Sequence, residues 1–396
     1  MGRNITVGLD IGTYQIKVIA AENSSSDEKN FPKIVGMGYA SSRGLRHGYI
    51  LNQADAVKSI SSALSQAEKT AGMKIKRASL SVGGIGLSGA VSSGTIVISR
   101  ADNEITEMDV KKAIETSKAE IPASLSVNRK ILHTIPIQFK VDGKPAWGRP
   151  EGLKGMKLEA RVLFIMCMEH HLSDLIETVE ESGLEVEEVV ASPIAASLVT
   201  LTKAQKVAGC VLANIGSETV SIIVYENSLP ISLEVFPIGS NDITNDIALG
   251  LRVPLEEAEE IKRGSIVGTS FPRKKLEEII GARLSDIFDL IEAHLKKLGR
   301  SGLLPAGIVI TGGGSGIETI EDMARGALKL PSRIGGISLG DANKGQIRDA
   351  SWSVAYGLCI LARDGEEGAI LGIRETGKRK NNVLEQAKGF FKQFLP

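Results

Sequence analysis

Apolar residues recur along this chain with two periods, and the changes of period outline its elements. Residues Val7–Ala20 read VGLDIGTYQIKVIA: an apolar run, a turn at Gly12, then Ile16, Val18 and Ala20 at every second position. Residues Val211–Val224 read VLANIGSETVSIIV, with Gly216 in the turn and Val220, Ile222 and Val224 alternating behind it. Period two marks a half-buried strand, so each stretch predicts strand, tight turn, strand. Val7 aligns with Val211, Ile11 with Ile215, Gly12 with Gly216 and Ile19 with Ile223. One such hairpin in each half of the chain predicts two similar α/β halves facing each other.

Helical spacing appears elsewhere. Residues 54–70 bring Ala56, Val57, Ile60, Ala63, Leu64 and Ala67 to one face. Thr106, with Asp109 three residues on, predicts an N-cap for a helix running to Glu120. Further helices are expected at 169–182, 255–263 and 274–298, the last with Ile279, Ile280, Leu284, Ile287, Leu290, Ile291 and Leu295 on a stripe, and a final core helix at 350–362. Strands are expected at Gly89–Ser99 and within 131–168, where ILHTIPIQFKV and LEARVLFIMCM flank a Gly/Pro/Lys-rich loop at 142–155. Residues 374–381 are polar and basic and read as a linker. After it, Val383, Leu384, Ala387, Phe390, Phe391, Phe394 and Leu395 fall on one helical face, with Lys388 and Lys392 off it. A terminal helix of that kind reads as an interfacial membrane anchor; the alternative is a helix docked on the protein's own core or on a partner.

Composition narrows the class. A chain of 396 residues suggests two to four domains, and 42% hydrophobic residues can build a core. Lys+Arg and Asp+Glu are equal at 47 each, which argues against a nucleic-acid binder. Cys167, Cys210 and Cys359 sit in apolar runs without CxxC spacing, as buried reduced thiols in a reducing compartment do. Gly2 and Thr6 match a myristoylation pattern, yet a strand is expected from Asn4, so lipidation is not expected. No signal-peptide pattern and no run of 18 apolar residues occurs, so any membrane contact is expected to be peripheral. His47, His133, His170, His171 and His294 have no metal-ligand spacing and read as structural or surface residues.

The candidate chemistry lies in three glycine turns, each behind an apolar run: Gly8–Thr13, Asn214–Thr219 and Thr311–Ser315. Glycine lets a backbone approach closely, and clustered N–H groups cradle anionic oxygens. Thr13, Ser217 and Thr219 add hydroxyls, and Asp10 faces its turn, where a carboxylate holds Mg²⁺ through water. There is no GxxxxGK[ST] and no GxGxxG opening a helix, so neither a P-loop nor a Rossmann site is expected.

The set GLDIGT, a second strand–turn–strand, and GIVITGGGSGIE resembles the two phosphate motifs and the adenosine motif of the actin–Hsp70–hexokinase superfamily. The stretches SRGLRHGYI, RKILHTIPIQFKVDG, GLKGMKLEARVLFIMC and GIVITGGGSGIETI resemble the FtsA family of bacterial cell-division proteins over nearly the whole chain. The resemblance implies an α/β, actin-like (ribonuclease-H-like) two-domain fold with a nucleotide cleft between the halves, an inserted subdomain 1C and a C-terminal amphipathic helix. The implied parts are subdomain 1A (1–84, 163–196, 354–373), 1C (85–162), 2A (197–230, 303–353), 2B (231–302), a linker (374–381) and the membrane helix (382–396).

For cofactors, the resemblance implies ATP and Mg²⁺. ATP would be held by Gly12, Thr13, Tyr14, Gln15, Lys17, Gly216, Ser217, Glu218, Thr219 and Gly239, by Glu259 and Lys262 on the ribose and adenine side, and by Gly312, Gly313, Gly314 and Ser315; Mg²⁺ would sit at Asp10. The implied partners are the FtsZ C-terminal tail at Lys296, Lys297 and Arg300, further copies of the chain, and inner-membrane lipid at Phe390, Phe391, Phe394, Leu395, Lys388 and Lys392. The implied place is the cytoplasmic face of the membrane at the division site. One departure stands out. The second phosphate motif of the family reads like D-I-G-G-G-T-x-D, whereas here Asn214 and Ser221 replace its acids, and Ser217 and Glu218 replace two glycines. With Asp10 and Asn214 as the catalytic pair, ATP binding without appreciable hydrolysis is expected, unless Glu218 leans in to restore the charge. The chain is thus expected to be a scaffold and at most a slow ATPase. The alternatives are a PilM-like adaptor of a pilus or secretion machine, or an active ATPase or kinase of the same fold.

Overall fold

The structure is a computed structural model that describes residues 4–23, 31–264, 271–339, 343, 345–347 and 349–361. The linker and the amphipathic segment at 382–396, with Phe390, Phe391, Phe394, Leu395, Lys388 and Lys392, lie outside the described residues, as does Gly2.

The first half opens with β1 (Ile5–Ile11), β2 (Gln15–Glu22) and β3 (Lys33–Ser41), followed by a small hairpin of β4 (Leu45–Arg46) and β5 (Tyr49–Ile50). Then come α1 (Gln53–Ala71) and β6 (Arg77–Val82). Helix α1 forms where the apolar spacing places it. The Asn52 side chain accepts from the Asp55 N–H at 3.1 Å, and Gly72 ends the helix in the left-handed conformation with its N–H on the Glu68 carbonyl. Its buried face holds Ala56, Ser59, Ile60, Ala63, Leu64 and Ala67.

An insertion follows: β7 (Leu87–Val97), α2 (Glu107–Ala119), α3 (Ala123–Ser126), β8 (Arg129–Val141), β9 (Lys144–Ala146) and β10 (Lys157–Met168). Its four strands form a separate antiparallel sheet in the order β7-β10-β8-β9. The unbroken apolar run of β10 is explained by burial on both faces. Leu158, Ala160, Val162, Phe164 and Met166 join the insertion's own core with Val110 and Ala113 of α2. Leu163, Ile165 and Cys167 pack into the main core of the first half. The sequence-derived boundary at 162 therefore falls inside a continuous strand. Within the loop expected at 142–155, β9 pairs with the end of β8. Pro136, which has no N–H to give, sits opposite Val162 at a register shift in the ladder.

The chain returns through α4 (Glu169–Glu181), β11 (Glu185–Ala191) and α5 (Ser192–Thr200), then enters the second half. There follow α6 (Lys203–Ala208), β12 (Cys210–Ile215), β13 (Val220–Glu226), β14 (Leu229–Phe236), α7 (Ser240–Leu251), α8 (Leu255–Lys262) and α9 (Arg273–Lys297). The last elements are β15 (Ile308–Thr311), α10 (Ile320–Leu328), β16 (Ser332–Ile334) and α11 (Ser353–Leu361). The final helix, expected from 350, starts as a 3₁₀ turn at Ala350–Trp352.

The two main sheets have the same construction: β11-β6-β1-β2-β3 in the first half and β16-β15-β12-β13-β14 in the second. In both, a leading antiparallel hairpin is flanked on one side by a third antiparallel strand and on the other by two parallel strands. The internal repeat of the sequence is thus a repeat of fold.

Candidate functional site: a glycine-lined cleft

The turns of both leading hairpins close the same way. The Gly12 N–H donates to the Gln15 carbonyl at 3.2 Å, and the Gly216 N–H to the Thr219 carbonyl at 2.9 Å. Both turns open onto one cavity of about 550 Å³ between the halves. Of the predicted residues, Asp10, Gly12, Thr13, Tyr14, Gln15, Lys17, Asn214, Gly216, Ser217, Thr219, Glu259, Lys262, Gly312, Gly313, Gly314 and Ser315 line it. Glu218 and Gly239 do not. Gly239 packs behind the second turn, with its N–H on Asp242 at 2.8 Å. Glu218 turns away from the cleft, its carboxylate accepting from the backbone N–H of His47. It therefore does not lean in to replace the acid missing at Asn214.

The cross-strand partners show what the second hairpin lost. Asp10 lies opposite Lys17, and Asn214 lies opposite Ser221 at the equivalent positions. One hairpin carries an acid–base pair and the other a neutral pair. Ser81 donates to the Asp10 carboxylate at 2.8 Å. Burial pushes the Asp10 carboxyl above its ordinary range, while Lys17 and the Ser81 hydroxyl pull it back. Burial likewise pushes the Lys17 ammonium down, opposed by Asp10 and Asp349. A buried cation beside a carboxylate, in a cavity walled by backbone amides and hydroxyls, suits an anionic ligand.

The opposite wall is held by α7 and α8. Glu259 accepts from Lys262 at 2.6 Å and from Arg263 at 2.8 Å. Thr244 donates to Glu259 at 2.6 Å, and Lys262 donates to the Ser240 carbonyl at 3.1 Å. The helical turn that brings Glu259 and Lys262 to one face thus becomes a fixed polar network. Its bonds to Lys262, Thr244 and Arg263 outweigh desolvation and hold the Glu259 carboxyl below its usual range.

Several lining residues carried no sequence signal. Asp349, Asn241 and Arg263 reach the cleft, but they belong to no glycine turn and no alternating strand. Gly83 and Gly84 also line it and were legible: they follow β6 as Gly312 and Gly313 follow its counterpart β15. Lys296 and Lys297 lie at the end of α9 and do not line the cleft. Arg300 is tied to Glu226 at 2.6 and 2.8 Å. Among the described residues, no group of three or more His, Cys, Asp or Glu is placed to hold a metal ion. No described helix is long and apolar enough to cross a membrane.

Two ribonuclease-H-like halves with paired glycine-turn hairpins on a shared cleft define an actin-like protein. Solved structures agree on the fold. The PilM–PilN type IV pilus biogenesis complex matches with a TM-score of 0.68 at 16% identity, covering 92% of this chain and 100% of that one. MreB5 of Spiroplasma citri bound to ADP matches with a TM-score of 0.51 at 14% identity, covering 92% and 98%. Sequence relatives are more specific. The family described as "Cell division protein FtsA" matches residues 211–357, and "SHS2 domain inserted in FTSA" matches 84–166. The cell division protein FtsA of Borreliella burgdorferi is 34% identical over 415 aligned positions, covering 99% of each chain. That of Bacillus subtilis is 30% identical over 377 positions, covering 90% of this chain and 83% of the relative. The chain belongs to the FtsA family of cell division proteins.

Proposed function

We propose that this protein is a nucleotide-dependent, polymerising scaffold that ties the FtsZ ring to the cytoplasmic face of the cell membrane. The observation that carries the reading is the single cleft lined by both hairpin turns and by Gly312–Ser315. It fits a nucleoside triphosphate. Amides and hydroxyls at Gly12, Thr13, Gly216, Ser217 and Thr219, with the Lys17 ammonium, suit the phosphates. Glu259 and Lys262 suit the ribose and base side. ATP is the nucleotide the family relation implies, and Mg²⁺, held through water at Asp10, would screen the phosphate charge. Asp10 supplies one carboxylate; the neutral Asn214–Ser221 pair and the outward Glu218 leave its counterpart neutral. We therefore expect tight binding and little hydrolysis.

Lys296 and Lys297 at the end of α9 are offered as the surface for an acidic tail of FtsZ. Arg300, already paired with Glu226, contributes by fixing the end of that helix. The membrane contact is assigned to residues 382–396.

The test is co-sedimentation with anionic liposomes, comparing the full chain with one truncated after Lys380, each with and without Mg-ATP. The full chain is expected to pellet, more so with Mg-ATP, and the truncated chain to remain in the supernatant. Equal behaviour of the two chains overturns the anchor and favours a pilus-type adaptor.

A further inference from the structure

The third position of each hairpin turn makes a contact with the opposite half, Tyr14 at the cleft and Glu218 outside it. Gly12 corresponds to Gly216, so Tyr14 corresponds to Glu218. Tyr14, from the first half, accepts a hydrogen bond from the Arg263 guanidinium at 2.9 Å, and that guanidinium lies 5.6 Å from the centre of the tyrosine ring. Glu218, from the second half, accepts from the His47 backbone N–H, and the His47 ring Nδ1 lies 3.2 Å from the Glu218 carbonyl oxygen. The fold repeat thus places two contacts of opposite direction on the two phosphate turns.

Both receiving residues are braced. Arg263 is held by Glu259 at 2.8 Å, within the polar network of the far wall. His47 and Gly48 form the two-residue turn between β4 and β5, with φ of 49° and 91°. Positive φ at both positions is the geometry of a type I′ hairpin, which favours glycine at the second. A Cβ on Gly48 would stand 2.6 Å from the Gly84 Cα, so this turn is pressed onto another loop of the cleft. The two halves cannot separate at the phosphate turns without losing both contacts.

Resting on the nucleotide reading above, we propose that Tyr14 and Glu218 are paired clasps that hold the two halves together over the bound nucleotide and set the rate of its release. Glu218 is informative because it does not line the cavity. Any effect of its side chain on release must pass through the domain contact. It also gives the departure from the family's glycine-rich motif a use, since a glycine there has no carboxylate to offer.

The experiment uses the full chain carrying Glu218→Ala, Tyr14→Phe, or both. A fluorescent ATP analogue is bound and chased with excess unlabelled ATP in a stopped-flow instrument. Each single change is expected to speed release by roughly two- to tenfold, the range set by one modest hydrogen bond, and the double change by about the product. In parallel, spin labels at Ser65→Cys on α1 and Asp289→Cys on α9, both exposed sites, report the separation of the halves without nucleotide. The native cysteines are buried. Longer, broader distances in the clasp variants are expected. Unchanged distances in the double variant overturn the clasps, and longer distances with unchanged release overturn their control of release. If no version binds the analogue, the nucleotide reading fails, while the label distances still decide whether Tyr14 and Glu218 join the halves.

Discussion

Gly312 has φ of 90°, and a Cβ there would lie 2.2 Å from Asn214 Oδ1 and 2.6 Å from the Ile215 carbonyl oxygen. Its neighbour Gly313 meets nothing within 4 Å. The two substitutions therefore separate cleft geometry from glycine content. Gly312→Ala is expected to cost about 1–3 kcal/mol of stability and to weaken ATP binding, while Gly313→Ala leaves the unfolding midpoint nearly unchanged. Thermal unfolding and nucleotide titration check both; equal effects would refute the argument. Asn214 is the repeat partner of Asp10, so Asn214→Asp adds a second carboxylate to the same cleft. Phosphate release is expected to rise by at least roughly tenfold, a conservative share of what a positioned acid or base contributes. No change would show that the residue at 214 does not limit hydrolysis.

Elements join the insertion to the first half through a buried histidine. His133 on β8 accepts the Ala191 N–H at 3.0 Å, where β11 gives way to α5. Burial pushes its pKa down to about 3. The unfolded chain takes up a proton near pH 6.5 and the folded chain does not, so stability is full above that pH and is lost as pH falls toward 3. At pH 5 the loss is roughly 2 kcal/mol. His133→Gln keeps an acceptor without the titration, so its denaturant midpoint should fall less between pH 7 and pH 5 than that of the unchanged chain; parallel curves would exclude His133 as the cause. On α9, Lys296 is largely exposed, with Glu292 at 3.6 Å. Reversing Lys296 and Lys297 to glutamate should weaken an acidic FtsZ-tail peptide by roughly fivefold or more at low salt, and less at high salt. Fluorescence anisotropy measures it, and an unaffected affinity would remove this helix end from the tail site.

At the scale of the whole molecule, membrane attachment and assembly are expected to reinforce each other. Partial burial of five large apolar residues near the C-terminus is worth roughly 4–8 kcal/mol before ordering costs. On the proposed reading, one copy is expected to bind reversibly and a polymer firmly. In Mg-ATP, liposome binding should rise more steeply than linearly with protein concentration; a simple hyperbola would uncouple the two. Much of this architecture was open to the sequence. Strand–turn–strand repeats, helix faces and capping residues depend on neighbours a few positions away, so Val7–Ala20 and Val211–Val224 predicted two equivalent halves and α1 its buried face. The glycine turns were legible for the same reason, because tight turns and close approach demand residues without side chains. What the sequence left open is what depends on partners distant in the chain. Asp349 and Arg263 enter the cleft only because the second half folds around it. The burial of β10 on both faces needs the insertion and the body at once. Glu218 belongs to the second glycine turn, and whether it leans in is open from the sequence; its carboxylate bonds to His47, 171 residues away in the chain. Local pattern determined the elements and the turns; only the packing of one half against the other decided which side chains face the cleft and which span it.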